Sequence, residues 1–143
     1  MKPSWVVVVE GSRARIFELT GPAIPMREIA DLLNPEMRMA EHEIGSDKPG
    51  RTFDSSGRGR HAKQPRTDPS RQRHYDFIHE IAARIEQARN EDCFRDIILV
   101  AAPATLGLLR KTLTKAALQC VKREIPKNVV RADEASIRAL LAS

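Results

Sequence analysis

Residues 4–10, SWVVVVE, decide how this chain folds. A strand with one wet face alternates apolar and polar residues. Four consecutive valines after Trp5 do not alternate, so both faces of this strand must be covered. A second run of the same kind, DIILVAA, spans residues 96–102. Two strands that each need cover on both faces predict a sheet with helices on either side, an α/β fold.

Working outward, Gly11-Ser12 marks a tight turn, and RARIFEL (13–19) reads as an antiparallel return strand. The spacing of MREIADLL (26–33) fits a third strand or a short helix; the short Gly21-Pro22 connection favours the strand, which completes a meander of three. Residues 34–68 carry no period, and a connection this long in a small domain is functional or disordered. Asp68 then suits an N-cap and Pro69 the first helical position. Phe77, Ile78, Ile81, Ala82 and Ile85 come next at helical spacing. Pro103 opens a second helix with Leu106, Leu109, Leu113 and Ala117 on one stripe. CVKREI (120–125) reads as a strand closed by Pro126, and Asp133 caps a last helix carrying Ile137, Leu140 and Leu141.

The predicted order is βββ, long loop, αβαβα, in one domain over 1–143. It gives a mixed five-stranded sheet in which WVVVV and IILVA are parallel central neighbours. The order matches the ribonuclease-H-like three-layer topology, which carries no function by itself.

The chain has 143 residues and a formal charge of +5. Between Asp47 and Arg73 stand eight bases and three acids, a surplus equal to that whole +5. A balanced body with one basic segment points to a polyanionic partner, nucleic acid first. No run is long enough to span a membrane, and Met1-Lys2-Pro3 leads straight into the first strand without a secretory pattern. Cys93 and Cys120 lack C-x-x-C spacing, so reduced thiols in the cytoplasm, packed rather than reactive, are expected.

Enzymatic motifs are sparse. A metal-dependent nuclease needs converging carboxylates. Glu10 at the first strand's end and Glu80 on the first helix are the candidates, but Asp96 lies at the wrong end of its strand. Glu10 reads as a strand-end surface residue and Glu80 as a helix-face charge. His61, His74 and His79 form no metal pattern, and they read as solvated or hydrogen-bonding side chains. There is neither a G-x-S-x-G elbow nor a P-loop. No cofactor, metal or catalytic residue is assigned.

Three blocks carry a resemblance: WVVVVEGSRARIFE, SDKPGRTFDSSGRGRHA and ILVAAPATLGLLRKTL. In this order they resemble the bacterial host-attachment protein family, named as required for attachment to host cells, over about residues 4–125. The tail departs from it, with Asn128-Val129-Val130 where such proteins often have Asp-Leu-Thr. More distantly, the chain is similar to the middle domain of archaeal and eukaryotic class-1 release factors and of the ribosome-rescue factor Pelota. That domain places a Gly-Gly-Gln loop where this chain has GRGRHAKQ, ahead of a helix start similar to RQRHYDF. Here Arg60-His61 follows Gly57-Arg58-Gly59, so the release-factor chemistry, which needs glycine's backbone freedom, does not transfer.

The resemblance implies RNA contact. Arg58, Arg60, Lys63, Arg66, Arg71 and Arg73 are the phosphate-neutralising candidates, with Gly59 allowing close approach and His61 as a polar contact. Phe53 and Tyr75 are expected to anchor the loop ends to the body rather than to stack bases. The expected function is a cytosolic RNA- or ribosome-associated domain. The alternatives are an interaction protein with an indirect role in attachment, acting through a protein partner, and a hydrolase of peptidyl-tRNA or RNA.

Overall fold

Val6, Val7 and Val8 have no exposed surface, and neither do Ile97, Leu99 and Val100. These residues sit at the centre of the sheet in a computed structural model that describes residues 2–34 and 69–142. The strands are β1 (Ser4–Val9), β2 (Arg13–Leu19), β3 (Arg27–Leu33), β4 (Asp96–Ala101) and β5 (Val121–Ile125). The helices are α1 (Pro69–Asn90), α2 (Pro103–Thr112), α3 (Lys115–Cys120) and α4 (Glu134–Ala142). The sheet order is β3-β2-β1-β4-β5, antiparallel from β3 to β1 and parallel from β1 to β5. The two continuous apolar runs are parallel neighbours, with Ser4 opposite Asp96 and Val9 opposite Ala101.

Each run is apolar throughout because its alternate residues feed different cores. Trp5, Val7, Val9, Ile97, Leu99 and Ala101 pack against α1, α2 and α3 through residues such as Phe77, Ile81, Ile85 and Leu109. Val6, Val8, Ile98 and Val100 pack on the opposite face against Met26, Val130 and Ile137. Burying one such side chain fully contributes about 1.5–3 kcal/mol, so the strand pair is the main source of stability.

One element differs from the sequence reading. The stripe through Leu106, Leu109, Leu113 and Ala117 does reach the core, but on two helices rather than one. The chain becomes extended at Leu113 (φ −67, ψ 147), and Thr114 caps α3 by accepting from the Ala117 amide at 3.0 Å. Thr112 donates to the Leu108 carbonyl at 2.7 Å. Threonine hydroxyls compete with the helical ladder in this way, and the KTLT stretch ends one helix and starts the next. The last helix starts as expected, with Asp133 accepting from the Ser136 amide at 2.9 Å.

A charged side chain lies inside the second core. Arg15, 8% exposed, forms a fork with Glu28 at 2.9 and 3.0 Å. It also donates to the carbonyls of Val130 (2.9 Å) and Ala132 (2.6 Å). Every one of these bonds offsets the desolvation of the guanidinium. Together they tie the β5–α4 connection to the sheet.

Candidate functional site

The carboxyl ends of β1 and β4 point the same way because the strands are parallel. The segments after the two strands therefore meet at one rim, the usual ligand position in open α/β sheets. Glu10 and Gly11 come after β1, and Ala102 leads into α2. The first turns of α1 and α2 start beside them. Between these elements lies an open cleft of about 470 Å³, whose polar walls include Glu10, Ser70, Arg71, His74, Thr105 and Asn128.

Asn34 joins this rim to the long connection. Its side chain, buried in the protein, donates to the Gly11 carbonyl at 3.3 Å and to the Arg73 carbonyl at 3.2 Å. Its amide donates to Ser12 O at 2.9 Å. Asn34 is thus fixed to the β1–β2 turn and to the first turns of α1, the helix that Pro69 opens.

The electrostatics of the cleft are mixed. Neither α1 nor α2 has an acid in its first turn, and the cap position of α2, Ala102, supplies no side-chain acceptor. Both helix starts therefore present amide dipoles with positive ends. Arg71 adds an exposed guanidinium. Glu10 opposes them, but it is engaged: it accepts from Ser12 Oγ at 3.2 Å and lies 3.6 Å from the Arg131 guanidinium. His74 is half-buried, and burial lowers its pKa below the ordinary 6.5. Its ring is therefore neutral at pH 7. Its Nδ1 is buried with no hydrogen-bond partner among the described residues. Thr105 is 8% exposed. The arrangement can hold an anionic group against Arg71 and the helix starts, next to a neutral imidazole.

Of the residues expected to touch RNA, Arg71 and Arg73 stand on the first turns of α1. Arg71 is exposed at the cleft; Arg73 is half-buried, and its carbonyl is taken by Asn34. Arg58, Gly59, Arg60, His61, Lys63 and Arg66 lie outside the described residues, as do Phe53, the Asp68 cap and the bulk of the 34–68 loop. Tyr75 stands on α1 away from its buried stripe and is 37% exposed. Glu10 stands at the end of the first strand, and its side chain, 18% exposed, lies 3.6 Å from the Arg131 guanidinium. Glu80 and His79 are exposed, as helix-face residues. Among the described residues no three His, Cys, Asp or Glu side chains group closely enough to hold a metal ion.

His74, Thr105 and Asn128 escaped the sequence reading as members of one site. The first two were findable: parallel neighbours force the residues after VVVV and after IILVA to one edge, where the next helices start. Asn128 had no signal, because its place depends on how the β5–α4 connection folds back.

Among the described residues no helix is long and apolar enough to cross a membrane. A comparison with curated proteins finds no match for the chain. The model of a family described as "Protein required for attachment to host cells" matches residues 5–141, nearly the whole sequence, and the chain belongs to that family.

Proposed function

We propose that this protein is a cytosolic RNA-associated domain, directed to the ribosome or another structured RNA, with the basic segment 58–73 as its grip. The observation that carries this reading is where the charge sits. The chain's entire surplus of +5 falls between Asp47 and Arg73. The end of that segment, Arg71 and Arg73, forms the start of α1 beside the cleft at the carboxyl edge of β1 and β4. An RNA bound by the arginines would have its phosphates next to Arg71 and the two helix starts. The strand order, with helices on both faces, is compatible with a ribonuclease-H-like fold and with the similarity to release-factor middle domains. Arg60-His61 in place of Gly-Gln supports binding without release-factor hydrolysis.

The test is binding of structured RNA across a salt series. Replacing Arg58, Arg60, Lys63 and Arg66 by alanine should weaken binding. It should also reduce the slope of log affinity against log salt by about 0.7–0.9 for each phosphate no longer neutralised. Equal affinity and equal slope in the parent and the fourfold variant would refute the reading.

The family description favours a second reading, a protein-partner role in attachment to host cells. It would be supported if the fourfold variant kept RNA binding at the parent level while a deletion strain lost adhesion. A protein found with ribosomes at low salt and released at high salt would favour the first.

A further inference from the structure

The aromatic side chains of the described residues divide into two kinds. Trp5, Phe17, Phe77 and Phe94 are buried, none of them more than 5% exposed. Tyr75 reaches the surface, at 37%. It stands in the second turn of α1, the helix that opens at Pro69 with the last arginines of the basic segment. Tyr75 and Arg71 are four residues apart, so they lie about 40° from each other around the helix, with their Cβ atoms about 5–6 Å apart. Arg71 is exposed, and among the described residues its guanidinium makes no ion pair or hydrogen bond. The Tyr75 hydroxyl likewise has no partner among them. Asp76 and Glu80, the acids nearest along the helix, lie about 100° and about 140° around it from Tyr75. Asp76 also accepts from Gln72 Nε2 at 3.0 Å.

An exposed ring beside an unpaired guanidinium fits one nucleotide. Every base has a π-face that stacks on an aromatic ring, and its phosphate is the anion a guanidinium takes. A base inside a duplex is already stacked on its neighbours, so the face on offer belongs to an unpaired base. From the sequence Tyr75 is expected to anchor a loop end; an exposure of 37% leaves ring surface open to a ligand. We propose that Tyr75 is a stacking platform for an unpaired RNA base, with the adjoining phosphate on Arg71 at the mouth of the cleft. The inference rests on the RNA reading above and adds a contact to a base beside the contacts to phosphates.

Tyr75 is the chain's only tyrosine, so its ring can be followed by itself in NMR spectra of the whole protein labelled at tyrosine. The probes are an RNA hairpin with an unpaired adenosine loop, the same hairpin with an abasic loop, and a blunt duplex of the stem. The Tyr75 ring protons should move upfield with the first and stay in place with the other two. Tyr75→Ala should weaken the adenosine-loop hairpin about tenfold. The slope of log affinity against log salt should not change in that variant, because no phosphate contact is lost, whereas Arg71→Gln should reduce it by about 0.7–0.9. Tyr75→Phe should bind like the parent. Tyr75→Leu keeps apolar bulk without a π-face and should bind like Tyr75→Ala. Parent affinity in Tyr75→Ala or Tyr75→Leu would overturn the inference while leaving the RNA reading in place, and so would an equal ring shift with the duplex. Binding of none of the three RNAs would overturn both.

Discussion

The two ends of the central strand pair are built on different principles. At the carboxyl end, polar side chains from several elements surround a cleft, and Asn34 pins the start of the long connection to α1. At the amino end, the apolar Leu19, Pro22 and Leu141 stand beside the cations Arg95, Lys122 and Arg138 around a cavity. Both ends hang on the same strands, yet neither is specified by them. The strands need only to be apolar; each end takes its character from the segments attached there. The consequence is that either end can change chemistry without altering the core, as expected where sites are grafted onto a scaffold.

Breaking the shared centre should abolish the distinction. Leu99, with no exposed surface, packs between β1 and the helices. Leu99→Ala should cost about 2–5 kcal/mol. Urea unfolding would measure the loss, and hydrogen exchange should rise at both ends together. A rise at one end alone would mean that the ends do not depend on a common core.

Two arginines allow each end to be loosened separately. Arg15 ties residues 130–132 to the sheet near the cleft, and Arg138 ties residues 21–24 to α4 near the cavity. Arg15→Met leaves the Val130 carbonyl and the Glu28 carboxylate without their donor, a loss of about 1–3 kcal/mol. Arg138→Met affects a more exposed cluster and should cost about 0.5–1.5 kcal/mol. Exchange should quicken around residues 128–132 in the first variant and around residues 21–26 in the second. Identical exchange patterns in the two variants would show that the ends are mechanically coupled.

The smallest expected effect is a pH dependence confined to the cleft. Burial lowers the pKa of His74 in the folded protein. Between that lowered value and 6.5 the unfolded chain binds more protons than the folded one. Stability should therefore fall as pH drops below 6.5, and the fall should end once the folded pKa is passed. His74→Gln should flatten this limb in thermal melts between about pH 7.5 and about pH 5. Glu86, held down to about 2 by hydrogen bonds from Arg89 and Thr114, acts lower, where its contribution is lost as pH falls from 4.5 toward that value. An unchanged pH limb in His74→Gln would place the His74 ring in solvent.

Local chemistry along the chain was enough to specify the class of fold and the pairing at its centre. SWVVVV and DIILVA can be stable strands only if both faces are covered, which puts both at the sheet centre, where they are parallel neighbours. The helix starts at Pro69 and Pro103, and the cap at Asp133, were equally legible, because capping and proline preferences act within a few residues. The basic segment was visible as charge, and the structure adds that its last arginines open α1 beside the cleft. Other features arise only when distant elements pack. Packing broke the Leu106–Ala117 stripe at Leu113, where core contact is kept although the helix is not. It buried Arg15, which reads as an ordinary strand charge until Glu28 and two carbonyls of a distant connection converge on it. It also gathered Glu10, His74, Thr105 and Asn128, which are far apart along the chain, at one rim. Spacing along the sequence reports only local periodicity, whereas these groupings depend on which elements the sheet brings side by side.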